Sequence, residues 1–286
     1  MSHQNEQPEE MSFWDHLDAL RKVLINSGLI VVVISLLFFS FMFRIFDSII
    51  LAPTSSNFVV YRWMCALSTR YDFLPDLCNN EFKVDLMNYN LNSQFFVHMS
   101  TSFWLGLVFS FPIVVYQLWS FISPALYEHE KKNARIAFFF GNIMFYLGLF
   151  VGYMTIFPMT LRFLATYQVS EMVPNIISLD SYMSNFLTLI FMMGIVFELP
   201  LLCWLLSRMG LLTRSFFKKY RRYAIVIMLI VAAVITPADP FSMIIMFFPL
   251  YLLYEGSAFV VRKDIPEDEE EEEEEPETTS ESNDQA

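Results

Sequence analysis

Glu198 is the residue of this chain most able to do chemistry, because of where it stands. It interrupts the apolar run Tyr182–Leu206, with Pro200 two residues further on. If the run is a helix, the carboxyl lies about 12 Å from its end. A carboxylate in hydrocarbon is costly unless it is paired, protonated or facing a cavity, and so marks a functional position by default. Pro200 has no N–H for the Val196 carbonyl and bends the helix beside the acid. Pro112 stands in the same relation to the Val108 carbonyl in the run Phe95–Trp119. The plainer reading of Glu198 is a carboxyl hydrogen-bonded to a neighbouring helix to hold packing. Two other acids are less distinctive. Asp239 belongs to the turn Thr236-Pro237-Ala238-Asp239-Pro240. Glu255 lies about 9 Å from the end of the run Phe241–Val261 and suits packing or a partner contact.

Catalysis has no visible equipment. Glu128-His129-Glu130 lacks the second histidine that zinc-peptidase chemistry needs at helical spacing. Neither G-x-S-x-G nor G-x-x-x-x-G-K-[ST] occurs, so a serine nucleophile and nucleotide hydrolysis are both without support. The 4 His are scattered and the 3 Cys form no C-x-x-C pair. No catalytic residue, metal ligand set or cofactor is expected, and no nucleic-acid partner.

The elements that must position these residues are membrane helices. The composition is 55% apolar with 31 Phe and only 17% charged residues, and the apolar residues come in long runs. A bilayer core of about 30 Å takes about 20 apolar residues of helix. Val23–Phe43, Phe95–Trp119, Ile136–Phe157, Tyr182–Leu206 and Phe241–Val261 meet that requirement. Tyr223–Ile235 is shorter, covering only about 20 Å as helix. It needs a thinned bilayer and snorkelling by Arg221 and Arg222. The turn at 236–240 makes it half of a hairpin of short spans. The first run follows 22 mostly polar residues and ends at Phe43-Arg44 without a small-residue cleavage site, which favours a retained anchor over a signal peptide.

The net charge of −12 belongs to one tail, since thirteen of the 30 acids follow Lys263 and leave 17 against 18 bases. With the N-terminus inside, 13 Lys and Arg fall on inner segments and 5 on outer ones. That split predicts both termini in the cytoplasm and six spans. The expected architecture is therefore an all-α membrane protein. A cytoplasmic amphipathic segment at 1–22 precedes a six-span domain at 23–261 with a long outer loop at 44–94. A disordered acidic cytoplasmic tail, 262–286, follows and serves either as a solubilising end or as a tether for basic partners. Phe13, Leu17, Leu20 and Leu24 form one helical stripe before the first span. This segment either lies at the inner membrane surface or is the polar start of the span. Cys65 and Cys78 share the outer loop and either pair or remain free thiols. Cys203 is a small packing residue.

Four segments resemble the TatC family, the core of the twin-arginine protein translocase. They are His16-Leu17-Asp18-Ala19-Leu20-Arg21, Phe121-Ile122-Ser123-Pro124-Ala125-Leu126-Tyr127-Glu128-His129-Glu130-Lys131, Gly194-Ile195-Val196-Phe197-Glu198-Leu199-Pro200, and Thr236-Pro237-Ala238-Asp239-Pro240-Phe241-Ser242. They occur in family order with family-like spacing across residues 12–261. The resemblance implies a cup-like six-helix bundle in the bacterial inner membrane. It also implies a receptor for signal peptides with paired arginines, working on folded precursors and driven by the proton-motive force. Implied partners are TatA-like and TatB-like single-span proteins, the lipid bilayer and further copies of the chain. By position, Phe121 and Glu130 match loop residues that recognise the arginine motif, and Glu198 matches a polar group on the concave face. The family motif carries Glu where this chain has Ala19; Asp18 is one residue earlier, about 100° round a helix, and with Arg21 is a weaker candidate. Bent helices beside a buried carboxylate also suit a proton-coupled carrier of a small solute. Against that, no inverted repeat is visible and the spans hold few other polar residues.

Overall fold

The computed structural model describes residues 13–69, 84–123, 128–170, 172, 175–208, 212–237 and 239–261. The acidic tail, residues 1–12 and Cys78 lie outside them. Among the described residues the chain is helical apart from one parallel pair, β1 (Leu86–Met87) with β2 (Ile177–Ser178). Among the described residues five stretches are long and apolar enough to cross a membrane by length and composition: His16–Thr54, Ser93–Phe121, Arg135–Thr166, Leu179–Arg208 and Pro240–Val260.

The first is α1 (Phe13–Ile45), which passes into a π-helical turn at Phe46–Ile50. A short helix, α2 (Val59–Ser68), follows in the long loop, and then α3 (Ser93–Ile122). α1 packs along α3, and the two approach closely because both are small at the crossing. A Cβ on Gly106 would stand 2.0 Å from Ser35 Oγ. Pro112 sits inside α3 as expected. The Val108 carbonyl it leaves without an N–H accepts a hydrogen bond from the Tyr146 hydroxyl at 3.1 Å, so the defect is repaired from the neighbouring helix.

α4 (Glu128–Val151) runs through a π-helical turn, Gly152–Ile156, into α5 (Phe157–Thr166). The third run therefore extends nine residues past Phe157. Pro158, without an N–H and in conflict with the carbonyl four residues back, explains the local change of winding. The fourth run is two helices, α6 (Leu179–Val196) and α7 (Leu199–Arg208). Ser178 caps α6 by accepting from the Ser181 N–H. α6 is central. Its buried Tyr182, Phe186, Leu189, Met193 and Val196 face α3, α4, α5 and α8 (Arg214–Ile235). Outward faces are apolar as well, for example Leu29, Leu36 and Phe43 on α1. That exposure is what lipid contact requires.

α8 begins nine residues before the expected start at Tyr223, because Lys and Arg are good helix formers. Its first nine residues hold Arg214, Lys218, Lys219, Arg221 and Arg222, and it is not one of the five membrane-length stretches. α9 (Pro240–Val260) is 21 residues, about 31 Å, and so of full rather than reduced length. Asp239 caps it by accepting from the Ser242 N–H at 2.7 Å, with Pro240 at the first helical position.

At the end of the bundle where α1 finishes, three tyrosines hold the irregular backbone. The π-helical turn ends at Leu51, a 3-10 turn follows at Ala52–Thr54, and the backbone becomes extended at Ser55. Tyr153 then donates to the Ile49 carbonyl (2.7 Å), Tyr182 to Ile50 (2.6 Å), and Tyr61 to Pro53 and Pro158. Burial pushes the Tyr61 phenol up against the opposing Arg162 guanidinium, keeping it a neutral donor.

Glycines on α4 make its contact with the fourth stretch possible. A Cβ on Gly148 would meet the Met193 backbone oxygen at 2.5 Å and Phe197 Cβ at 2.8 Å. Gly148→Ala is expected to lower stability by about 1–3 kcal/mol, because a backbone oxygen cannot swing aside. Gly256→Ala, where nothing lies within 4 Å, is expected not to lower the melting temperature of detergent-solubilised protein, since Ala is the better helix former. Equal melting temperatures for the two variants would contradict this packing.

Candidate functional site

The first candidate region is built where α1 begins and α3 ends. Packing of α1 along α3 brings the His16 ring onto the Phe121 ring, with centroids 4.5 Å apart and planes at 28°. A further link, Ser27 Oγ to Gln117 Oε1 at 3.2 Å, holds the same pair of helices three turns on. Two segments separated by 105 residues, the His16–Arg21 motif and the Phe121 loop, thus meet. Asp18 and Arg21 are exposed on α1 beside this contact. Glu130 belongs to the first turn of α4; its side chain lies outside the described part of the structure. His16 was not a candidate on sequence grounds, because it falls off the apolar stripe. The inward face of α1 is instead His16, Leu20, Val23 and Ser27, whereas Leu17 and Leu24 point outward and are exposed.

The second region surrounds Glu198. α6 ends in a tightened turn in which the Phe197 N–H bonds to the Met193 carbonyl and the Glu198 N–H to the Ile195 carbonyl. Pro200 cannot donate to Val196, and α7 restarts at Leu199 with the Leu202 N–H on the Glu198 carbonyl. The α-helical bonding is thus interrupted at Phe197 and Glu198, beside Pro200, within one membrane-length stretch, Leu179–Arg208. Glu198 sits in the break, and its side chain lies over Gly141 of α4; a Cβ there would stand 3.0 Å from Glu198 Oε2. Glu198 Oε1 is buried with no hydrogen-bond partner. The packing alternative, a carboxyl hydrogen-bonded to the next helix, does not describe that oxygen. Beside it, an apolar cavity of about 620 Å3 lies between α4, α7 and α9, with Gly141, Pro200 and Leu201 in its wall. Gly141 is eleven residues beyond Glu130 on α4, about 16 Å of helical rise.

The remaining candidates are structural. Pro112 is accommodated by Tyr146, and Asp239 caps α9. Glu255 forms an ion pair with Arg221 of α8, and Arg221 also donates to the Tyr251 hydroxyl. This is a tie within the hairpin, where the sequence left Glu255 between packing and partner contact. Cys65 is disulfide-bonded and Cys203 is a free cysteine. Among the described residues no group of three His, Cys, Asp or Glu is placed to hold a metal ion.

Comparison with known proteins points one way. The profile of the family described as Sec-independent protein translocase protein (TatC) matches residues 15–249. A Sec-independent protein translocase protein TatC from Blattabacterium is 33% identical over 259 residues, covering 88% of this chain and 95% of its own length. One from Helicobacter pylori strain J99 is 40% identical over 187 residues, covering 65% and 75%. A crystal structure of the twin-arginine translocase receptor TatC superposes with TM-score 0.66 at 30% identity, covering 86% of this chain and 97% of that one. A second, in the detergent DDM, gives TM-score 0.69 at 29% identity, covering 86% and 99%.

Proposed function

The chain belongs to the TatC family, and from that premise we propose that it is the twin-arginine signal-peptide receptor and core of a translocase that exports folded proteins. The observation that carries the reading is the stack of His16 on Phe121. It joins the N-terminal motif and the first-loop motif into one surface, next to the first turn of α4, where Glu130 stands. Guanidinium is permanently charged and pairs bidentately with carboxylate, which an ammonium cannot do. An acid at this surface therefore selects paired arginines over paired lysines. Asp18 and Arg21 rim the same surface as weaker contributors.

The bundle sits in the bacterial inner membrane with six spans and both termini in the cytoplasm. The 13-to-5 division of Lys and Arg supports this orientation, and the Arg221 tie to α9 supports counting α8 as a span. The Phe121 surface is then cytoplasmic, and Glu198 lies at membrane depth in a concave wall, the contact for single-span TatA-like and TatB-like partners and for the inserting signal peptide. Several copies assemble around one precursor. Cys65 and Cys78 pair in the outer loop. Non-reduced, unfolded protein is expected to take up a thiol label at Cys203 alone, and labelling of all three would exclude the bond. The chain binds and assembles without catalysis, and energy comes from the proton-motive force. The carrier of a small solute has no support among the matched proteins.

The decisive experiment is co-purification of the full chain with a twin-arginine precursor and with the same precursor carrying two lysines. Retention of the first and loss of the second is expected. Equal retention of both would refute the receptor assignment.

A further inference from the structure

We propose that the crevice between the C-terminal end of α3 and the N-terminal part of α4 is a binding site for an anionic phospholipid, with its phosphate at Lys131 and Arg135. The crevice has a volume of about 770 Å3. Lys131 and Arg135 line it from α4, four residues apart and so on one helical face. Ser120 of α3 and Ser123, the cap at its end, line it from the other side and supply hydroxyl donors for phosphate oxygens. Beyond these polar groups the walls turn apolar, with Val115, Phe138 and Phe139. At the far end Asn142 has its Nδ2 committed to the Phe138 carbonyl at 2.9 Å, and its buried Oδ1 has no partner. That oxygen is an acceptor and repels an anion, so the phosphate sits at the cationic mouth. Arg135 and Asn142 are seven residues apart, about 10 Å of helix. This length suits an acyl chain running from a headgroup into the hydrocarbon. Tyr116 and Phe139 on the rim are exposed to the lipid side.

Sign and shape together choose the occupant. Two cations oppose the arginines of a signal peptide, and an apolar slot below them serves no purpose for a free phosphate ion. Basic pockets between membrane helices on the cytoplasmic side are suited to anionic headgroups. The inference rests on the orientation proposed above for its leaflet: the cytoplasmic one. A lipid held there wedges the two helices that carry Phe121 and Glu130, and so fixes their separation.

The test is native mass spectrometry of the full chain in detergent, without precursor, after addition of phosphatidylglycerol, phosphatidylcholine or inorganic phosphate. Phosphatidylglycerol is expected to be retained over phosphatidylcholine. Lys131→Gln with Arg135→Gln is expected to cut that retention about thirtyfold, at about fivefold for each charge. Lys131→Arg with Arg135→Lys keeps the charges and is expected to keep the lipid. Val115→Trp, which fills the slot and leaves the cations, is expected to lose it. Equal retention of the two lipids, unchanged retention in the doubly neutral variant, or displacement by inorganic phosphate would each overturn the proposal. Because no precursor is present, failure here leaves the receptor assignment standing, and failure of precursor co-purification leaves the lipid result standing.

Discussion

Glu130→Gln is expected to abolish export of twin-arginine precursors while the protein remains inserted and helical. The substitution keeps size and hydrogen-bonding shape and removes only the charge. A hydrogen bond to a charged partner contributes about 1.5–3 kcal/mol, so precursor affinity is expected to fall about tenfold to a hundredfold. Glu130 stands in the first turn of α4, where the helix dipole favours an anion. Removing that charge leaves α4 intact, because Glu and Gln have similar helix propensities. Crosslinking of a labelled signal peptide to the purified variant reads the effect directly. Normal crosslinking would remove Glu130 from the recognition surface. Phe121→Ala in the same assay separates the two contributions, since it removes the ring under His16 and leaves the charge.

Glu198→Leu is expected to move stability and function in opposite directions. Oε1 of this carboxyl is buried and unpartnered, a condition that costs about 1–3 kcal/mol. An apolar side chain of similar volume beside Gly141 and Leu201 removes the cost and extends the wall of the apolar cavity. Melting temperature is expected to rise while export stops. A group kept only for packing would give the reverse outcome, a lower melting temperature with export intact, and that pair of results would reject the functional reading. Precursor co-purification is expected to survive in this variant, because Gly141, the α4 residue beside Glu198, is about 16 Å of helical rise from Glu130. Loss of both binding and export would merge the two sites into one.

The parts of the fold that were legible in the sequence are those that depend on one stretch of chain at a time. Apolar runs long enough to span hydrocarbon mark themselves, and Glu198 with Pro200 stands out as a polar group and a helix breaker inside one of them. The cap at Asp239 and the proline at 112 are equally local. What stayed hidden depends on two stretches meeting. His16 and Phe121 are 105 positions apart, and in the apolar stripe Phe13, Leu17, Leu20, Leu24 both Leu17 and Leu24 point away from the face that meets α3. In a membrane apolar residues gain nothing by facing protein rather than lipid. Leu17 and Leu24 are therefore free to face outward while His16 and Ser27 face α3. Hydropathy also truncated α8 at Tyr223, since it registers charge and not helix formation. The glycines of the third stretch were readable in principle: Gly141 and Gly148 of α4 and Gly152 of the π-helical turn, spaced by 7 and 4, share one face, and that pattern announces close helix contact.

The tie from Arg221 to Glu255 and Tyr251 also bears on how the chain is made. In the six-span topology α8 has only the 13 uncharged residues after Arg222 to hold it in hydrocarbon. Nothing secures it until its partner has emerged from the ribosome. α8 and α9 therefore enter the bilayer as one hairpin, with Thr236 to Asp239 as the leading tip, and the pair commits together. A nascent chain arrested before Pro240 would leave the last outward crossing unmade and residues 223–235 on the side of synthesis. Completion of the final helix is thus a topological checkpoint for the one before it.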